Sequence, residues 1–379
     1  MKNFSGRLIP LAVFILCLFP LSGQAQELSK NELTIIAVGD IMMGTTYPES
    51  LLPPDDGKGI FDGVKGALLG ADILFGNLEG PLVDEGLSKK CKNPGKTCYA
   101  FKTPARYVVH LREAGFTALN IANNHASDFG QEGIESTIST LAAAEIQPVG
   151  GKAVAYGTIR GRRIAIVGFF YFETPYAYSM LNLAEAAKAV RMLKETNDLV
   201  IVSFHGGAEG ASARHVMNKD EEFLGENRGN VAAFSHAVID AGADLVIGHG
   251  PHVLRALEVY KEKFIAYSLG NFLTYERFNL DGPNGVSLVL KVRIDAMTGD
   301  FISGDLAPVK LGIQGIPVPD SGKKAISLIR ALTQEDITGS PLDISSEGSL
   351  TLKAGTARKP KLSAVTNPPA SAPSDTGGK

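Results

Sequence analysis

The chain has 379 residues and a formal net charge of −3, with 44% hydrophobic and 20% charged residues. This length and composition allow one large or two smaller globular domains with a sizeable core. The small and evenly mixed charge argues against a partner held by bulk electrostatic attraction, so we expect no nucleic-acid partner.

The N-terminus has the three-part layout of a secretory signal peptide. Basic residues precede an apolar run over 8–21, and the small residues Gly23 and Ala25 follow it. This layout predicts that residues 1–25 are a signal peptide cleaved after Ala25. The run is shorter than the roughly 20 residues of a full membrane span, but an uncleaved anchor is the alternative. The protein is therefore expected to be exported, either as a periplasmic or extracellular protein or anchored at the outer face of the inner membrane.

Apolar runs alternate with helical stretches from residue 33 onward. The runs lie at 34–38, 73–75, 118–122, 164–167, 199–202, 245–247 and 264–267. Helices are predicted near 105–114, 131–145, 183–195 and 230–241. Asn182 and Asn230 are the expected N-caps of the last two, and Gly242 is expected to end the last. Continuous apolar runs suit strands covered on both faces, so the pattern predicts an α/β fold with largely parallel pairing.

Two cysteines remain after the predicted signal peptide. Cys91 and Cys98 flank a Pro-Gly turn, which can bring them within bonding distance. An oxidising compartment outside the cytoplasm would keep them paired, so a structural disulfide is predicted. The alternative is that the two cysteines bind a metal, but the nearby sequence contains no further Cys or His to complete such a site.

The C-terminal third contains one clear hairpin and a polar tail. The alternating segment 286–294 predicts an amphipathic strand that pairs with 301–311 through the turn at 298–300. Beyond about 340 the chain is rich in Ser, Thr, Pro, Ala and Lys and almost free of aromatic residues. Such a composition cannot bury enough apolar surface to order itself, so 340–379 is predicted to be a disordered tail.

Polar residues directly follow six of the seven apolar runs. The six tips are Gly39-Asp40, Gly76-Asn77-Leu78-Glu79, Asn123-Asn124-His125, His205-Gly206-Gly207-Ala208-Glu209, His249-Gly250-Pro251-His252 and Gly270-Asn271. Ligands of open α/β sheets bind beyond the carboxyl ends of the strands, so these tips are expected to converge on one pocket. Each polar residue taken singly could be a turn former, a helix cap or part of a solvated loop. The six tips together predict a functional site.

The chemistry of these tips indicates a metal. Carboxylates, amides and imidazoles together suit Mn²⁺, Fe²⁺ or Zn²⁺ better than an all-oxygen Ca²⁺ site. Two cations ~3.5–4 Å apart could activate a water and clamp the oxygens of a phosphoryl group. His125 is the candidate general acid or electrophilic donor, because imidazole changes charge near neutral pH. The histidines outside the tips are predicted to be structural, namely His110, His215 and His236.

The tips, taken in chain order, resemble the capsule-synthesis CapA family, the poly-γ-glutamate capsule proteins. The segments that carry the match are 39–42 (GDIM), 76–80 (GNLEG), 122–126 (ANNHA), 205–206 with Glu209, 240–252 (DAGADLVIGHGPH) and 267–272 (YSLGNF). The resemblance covers residues 33 to 310. It implies one domain over 33–315 with the fold of calcineurin-like metallophosphatases, a four-layer α-β-β-α sandwich.

The resemblance also implies roles for the residues of the first three tips. Asp40 corresponds to the first metal-binding Asp of the metallophosphatases, and Glu79 stands where they have a bridging Asp. Asn124 and His125 resemble their Asn-His pair, a metal ligand and the catalytic histidine. Met42 takes the place of a histidine in their first motif. The missing imidazole leaves open whether the site holds one ion or two.

The later tips supply the other implied ligands. The remaining histidine ligands correspond to His205, His249 and His252. Residues placed to orient ligands are Asn77, Glu209 and Asn271. Glu209 is also a candidate ligand itself, since carboxylates near a ligating histidine act in either role.

Two functions fit these residues. The first is an exported, metal-dependent hydrolase of the phosphoesterase type that acts on a phosphate ester or on a bond of a polyanionic polymer. The second is a non-catalytic component of poly-γ-glutamate or capsule synthesis and export, which grips the polymer in the same cleft beside membrane-bound synthesis machinery. A plain solute-binding domain is a third alternative, but such domains rarely need so many imidazoles at strand ends.

Overall fold

The computed structural model describes residues 31–88, 90–91, 98–150, 153–174 and 177–355. Two β-sheets form its centre. The predicted signal peptide at 1–25 lies outside the described residues. Among the residues described, no helix combines the length and the apolar character needed to cross a bilayer.

Strands and helices alternate through the first two thirds of the chain. The strands are β1 (Glu32–Met42), β2 (Ile73–Leu78), β3 (Ala118–Asn120), β4 (Gln147–Val149), β5 (Ala155–Ile159), β6 (Arg162–Phe170), β7 (Tyr178–Ser179), β8 (Leu199–His205), β9 (Glu221–Phe223), β10 (Glu226–Gly229), β11 (Leu245–His249), β12 (Leu257–Tyr260), β13 (Lys263–Ala266), β14 (Asn271–Thr274), β15 (Val286–Asp295), β16 (Phe301–Leu311), β17 (Pro317–Pro319), β18 (Leu342–Ile344) and β19 (Ser349–Leu352). The α-helices are α1 (Lys65–Leu68), α2 (Val108–Ala114), α3 (Gly130–Ala143), α4 (Leu183–Thr196), α5 (Val231–Asp240) and α6 (Lys324–Asp336).

The first sheet has parallel strands on one side and antiparallel strands on the other. Its order is β18-β19-β16-β15-β1-β2-β3-β4, with β14 paired to β1 and β17 to β16. Strands β1 to β4 are mutually parallel, and β14 also runs parallel to β1. The second sheet, β12-β13-β11-β8-β6-β5, is parallel from β13 to β6 and antiparallel at both edges. The prediction of largely parallel pairing is therefore confirmed for the centre of each sheet.

Three apolar clusters arrange the sheets and helices in four layers. Ala37 and Phe75 of the first sheet pack with Ile201 and Ile247 of the second, which fills the space between the sheets. The outer face of the first sheet packs on α2 and α3 through Leu111 and other apolar residues. The outer face of the second sheet packs on α4 and α5. Strands buried on both faces explain the continuous apolar runs of the sequence, and the predicted four-layer α-β-β-α sandwich is confirmed.

The predicted helix boundaries have the expected chemistry. The Asn182 side chain accepts a hydrogen bond from the backbone N–H of Glu185, at 3.2 Å. Asn230 does the same for Ala233, at 2.9 Å. These side chains satisfy donors that the first turn of a helix leaves free. Gly242 follows α5 with a φ of +114°, which a glycine adopts without strain.

The hairpin and the disulfide predicted from the sequence are both present. Strands β15 and β16 pair antiparallel from Val286 to Ile294. Cys91 and Cys98 are joined, with their Cα atoms 5.9 Å apart.

The predicted disordered tail needs correction at its start. Residues 342–344 and 349–352 form β18 and β19, and β19 adds to the edge of the first sheet beside β16. Leu342, Ile344 and Leu350 are buried, and they join the core between the sheets together with α6, which the sequence analysis did not predict. The apolar residues recur at every second position here, which is the period of a strand. The ordered region therefore extends past 315 and 340, and residues 356–379 lie outside the described part of the chain.

Candidate metal centre

The polar tips lie where the carboxyl ends of parallel strands from both sheets meet. Asp40 of β1 lies between Asn77 on β2 and Asn271 on β14 in the first sheet. His205 and His249 end the neighbouring strands β8 and β11 of the second sheet. The two sheets are joined at this point by a hydrogen bond between His249 Nε2 and the Val38 carbonyl oxygen, 3.1 Å apart.

Asp40, Glu79 and His252 form the centre of the site. All three are buried, and one ligand atom from each lies within 4.8 Å of the others. His252 Nδ1 is 3.0 Å from Asp40 Oδ2, and His252 Nε2 is 3.5 Å from Glu79 Oε1. His205 adjoins this group, with its Nε2 3.9 Å from Glu79 Oε1. The structure thus brings together four residues that the sequence had placed on four different strand ends.

Several candidate ligand atoms are buried without a hydrogen-bond partner. They include both carboxylate oxygens of Glu79, Nε2 of His205 and Oδ1 of Asn124. Buried polar atoms are almost always paired, because leaving one unpaired costs about 1–3 kcal/mol, and more for a charged group. Oxygen and imidazole nitrogen donors are the atoms that a divalent cation of the Mn²⁺, Fe²⁺ or Zn²⁺ type accepts. The donor set therefore fits a metal ion.

The electrostatics of the centre retain a proton. Burial raises the pKa of Glu79 well above its usual value. Burial alone would lower the pKa of His252, but the carboxylates of Glu79 and Asp40 raise it to about 10. Burial lowers the pKa of His205 well below its usual value, and the nearby His252 and Arg228 add to this effect. At neutral pH the Glu79 and His252 pair thus retains a proton, while His205 is neutral.

Asn77 connects the two sheets and orients Asp40. Its side-chain NH₂ donates to Asp40 Oδ1 at 2.8 Å and lies 3.3 Å from His205 Nδ1. Its Oδ1 accepts hydrogen bonds from the side chains of Asn120 and Asn123. Asn77 therefore contacts both Asp40 and His205, the position from which a side chain can orient two ligands.

The other predicted residues divide into two groups. Asn271 Oδ1 is 3.1 Å from His252 Nδ1, and Glu209 Oε2 is 3.8 Å from His252 Nε2. Both therefore contact the ring of His252, whereas Glu209 was expected to orient His205 or to be a ligand itself. His249 is different, because its Nε2 is bonded to Val38 and its Nδ1 lies 3.5 Å from Ser203 Oγ. In this arrangement His249 links the sheets rather than joining the Asp40, Glu79 and His252 group.

His125 belongs to a second cluster that the sequence analysis only partly recognised. Its Nδ1 is 2.7 Å from Asp128 Oδ2, and Asp128 is completely buried. Lys90 Nζ contacts Asp128 Oδ1 at 2.9 Å and also the carbonyl oxygen of Asn124 at 3.0 Å. Burial lowers the pKa of His125, and Asp128 opposes this shift. Asp128 lies only three residues beyond His125, but it follows no strand and was therefore overlooked.

A cavity of about 990 Å³ leads to the centre. His125, His252 and Glu209 line it, together with the basic residues Lys90 and Arg228. The histidines predicted to be structural lie elsewhere, and each contacts an acidic residue or a backbone carbonyl: His110 with the Asp56 carbonyl, His215 with Asp336 and His236 with Glu258.

Comparisons with known proteins agree with this description. The family model of the bacterial capsule synthesis protein PGA_cap matches residues 34–276. The capsule biosynthesis protein CapA of Bacillus anthracis is 33% identical over 262 residues, which cover 64% of this chain and 60% of that protein. The PGA biosynthesis protein CapA of Bacillus subtilis (strain 168) is 30% identical over 286 residues, which cover 70% of each. The chain thus spans less than two thirds of the first relative.

A solved structure with a similar course of the chain is a phosphatase from Mycoplasma pneumoniae. It is 15% identical, covers 79% of this chain and 99% of its own, and superposes with a TM-score of 0.44.

Proposed function

Since the chain belongs to the PGA_cap family of bacterial capsule synthesis proteins, we propose that it acts outside the cytoplasm on a capsule polymer or a phosphate-containing substrate, as a metal-dependent hydrolase. The cofactor is a divalent cation of the Mn²⁺, Fe²⁺ or Zn²⁺ type, present as one or two ions. One observation supports this most strongly: Glu79 buries two carboxylate oxygens without partners beside Asp40 and His252.

The ligands of the ion are Asp40, Glu79, His205 and His252, with Asn124 supplying an amide oxygen. This set leaves out His249, whose ring nitrogens face Val38 and Ser203. Bound there, a divalent cation supplies positive charge that polarises a phosphoryl or carbonyl oxygen of the substrate.

His125 is the residue that moves a proton. In the tautomer with its hydrogen on Nδ1, the neutral ring donates to Asp128 at 2.7 Å and keeps its lone pair on Nε2. That nitrogen would accept a proton from the water that attacks the substrate and would donate it to the leaving oxygen as the bond to the leaving group breaks. Asp128 thereby holds the tautomer and the orientation that the transfer requires.

A phosphodiester assay tests the hydrolase proposal. Purified protein incubated with Mn²⁺ is expected to cleave bis(p-nitrophenyl) phosphate, and the Asp40→Asn variant is expected to lose at least about 100-fold in rate, since it replaces a ligand without changing the shape of the side chain. Asp62→Asn is a matched control, because Asp62 is exposed and does not line the cavity. Equal rates in wild type and Asp40→Asn would contradict the proposal.

Non-catalytic binding of a polyanion is the second candidate function. The observation in its favour is that Lys90, Arg228 and Arg277 all line the cavity. In a strain that makes extracellular polymer through this protein, deletion of the gene lowers the polymer. Complementation with Asp40→Asn distinguishes the two functions: full restoration indicates binding without hydrolysis, and no restoration indicates catalysis.

Export is part of the proposal and rests on the N-terminal sequence. Mass spectrometry of the protein from the periplasm or medium should find Gln26 as the first residue if the signal is cleaved after Ala25. An intact N-terminus in the membrane fraction would instead indicate the uncleaved anchor.

A further inference from the structure

A small hairpin beside the cavity has an unusual tip. Strands β9 and β10 are joined by Leu224 and Gly225, whose φ angles are +51° and +78°. A two-residue hairpin turn with both residues in the left-handed region strongly favours Asn-Gly, and a leucine in that conformation is strained. Leu224 is also 83% exposed. Backbone strain and an exposed apolar side chain therefore coincide at one residue.

The base of this hairpin is firmly fixed. Glu221 accepts hydrogen bonds from the buried Arg255 at 2.7 and 2.8 Å and from the backbone N–H of Ala208 at 2.8 Å. Arg228 lies 4.1 Å from the ring centroid of Tyr171 and pairs with Glu209 at 2.7 Å. Because Glu221 and Arg228 anchor both strands of the hairpin, the fold fixes the direction in which its tip points.

The tip lines the same cavity as the candidate metal centre. Leu224 shares this lining with Phe223 and with Phe172, which is 45% exposed. The cavity, about 990 Å³, lies at the upper end of the ~300–1,000 Å³ typical of sites for small molecules. It is therefore large enough for more than the anionic group that the centre would hold.

We propose that Phe172, Phe223 and Leu224 form an apolar lip that binds a ring or hydrocarbon group attached to the reacting anionic group of the substrate. The substrate class is thus an ester or related anionic compound that carries an apolar substituent. Burial of that substituent accounts for the exposed leucine and for the strain retained at the hairpin tip. This inference rests on the proposed function, since the anionic group is held at the Asp40, Glu79 and His252 centre.

Binding of simple phosphonates tests the lip directly. Isothermal titration with Mn²⁺-loaded protein compares methylphosphonate with phenylphosphonate, which share the anionic group and differ in the apolar one. Wild type is expected to bind phenylphosphonate about tenfold more tightly, the gain that partial burial of a ring provides. Leu224→Asn should reduce this ratio to about threefold, and Leu224→Asn with Phe172→Ala should reduce it to about one.

Unfolding of the variants would not explain a fall in the ratio of the two affinities. Asparagine is a favoured residue at the Leu224 position of the turn, so Leu224→Asn should not lower the melting temperature. Leu69→Asn makes the same change at a leucine that is 61% exposed and does not line the cavity. This control should keep the full wild-type ratio.

Each outcome decides between the alternatives. A ratio near one in wild type, or a ratio unchanged in the double variant, overturns the lip while leaving the proposed function standing. Failure of both phosphonates to bind overturns the proposed function and the lip with it. If phenylphosphonate binds more tightly than methylphosphonate, hexylphosphonate shows whether the lip prefers a hydrocarbon chain or a ring. Tighter binding of hexylphosphonate than of phenylphosphonate indicates a chain, and weaker binding indicates a ring.

Discussion

At the scale of single residues, the centre is organised around a carboxylate that is costly in the absence of a cation. Glu79 is fully buried and both of its oxygens lack hydrogen-bond partners. A buried charge without a partner destabilises a folded protein, and a carboxyl group avoids the cost by keeping its proton. A divalent cation removes the cost directly, since it replaces that proton with positive charge.

The retained proton predicts how metal binding depends on pH. The pKa of His252 is raised to about 10, so the metal-free site carries a proton at pH 7 that the cation must displace. Affinity for Mn²⁺ should therefore fall as the pH falls, by about tenfold per pH unit between pH 8 and 6. Calorimetric titration at pH 7 in two buffers of different ionisation enthalpy should show about one proton released per ion. Binding without proton release would show that the centre is already deprotonated.

Asp128 provides a second prediction at this scale. Asp128→Asn preserves the shape of the side chain but no longer holds His125 in the tautomer with its lone pair on Nε2. Phosphodiester hydrolysis should fall by about 100-fold, whereas Mn²⁺ affinity should stay within about twofold, because Asp128 is not a ligand. Asp84→Asn serves as the control, since Asp84 accepts a hydrogen bond from Ala105 at an exposed position. A parallel loss of metal affinity in Asp128→Asn would mean that it acts on the metal site instead.

The sequence predicted only some of these positions. Asp40, Glu79 and His252 could be predicted because each follows an apolar run, and runs of this kind end at one edge of a sheet. The hydrogen bond from His249 to Val38 could not, since it depends on the distance between two sheets. Asp128 was missed because it lies in a turn after His125 rather than at a strand end.

At the scale of elements, β1 must approach the β13–β14 connection closely. The backbone N–H of Asp40 donates to the Gly270 carbonyl oxygen at 2.9 Å. A Cβ at Gly39 would collide with that oxygen and with the Leu269 carbonyl. Only glycine fits at position 39, and this close approach places Asp40 beside Asn271.

Gly39→Ala should accordingly destabilise the protein, by about 2 kcal/mol or more in the free energy of unfolding. Gly157→Ala in β5 is the matched control, because no atom lies within 4 Å of a Cβ placed there. Urea denaturation of both variants tests the difference. Equal midpoints would show that the close approach of β1 to Gly270 is not a constraint.

The C-terminal strands are elements that the sequence failed to reveal. β18 and β19 have three and four residues, and each contributes only one or two buried side chains, so the surrounding polar composition obscured them. Leu350→Ala should cost about 3 kcal/mol, since Leu350 is completely buried between the sheets. Thr351→Ala on the exposed face should change stability by less than about 0.5 kcal/mol. A loss below about 1 kcal/mol for Leu350→Ala would indicate that β19 is dispensable.

At the scale of the whole molecule, the candidate centre requires both sheets. Asp40 and Asn77 come from the first sheet, and His205 comes from the second. The run of strands and helices predicts parallel pairing, but it does not show that the strands divide into two sheets after β4. That division depends on which apolar faces pack together between segments far apart in the sequence. The four-layer arrangement was predicted from the family resemblance and not from the periodicity.

We propose that Glu79 is kept in the core as a ligand for a divalent cation. The most direct test compares wild type with Glu79→Gln by Mn²⁺ titration and by thermal unfolding with and without the metal. Without metal, the variant should be at least as stable as wild type, because a neutral amide replaces a buried carboxylate whose oxygens accept no hydrogen bonds. With metal, wild type should bind and gain stability, while the affinity of Glu79→Gln should be at least about 100-fold weaker. Equal Mn²⁺ affinity in the two proteins would contradict metal binding by Glu79.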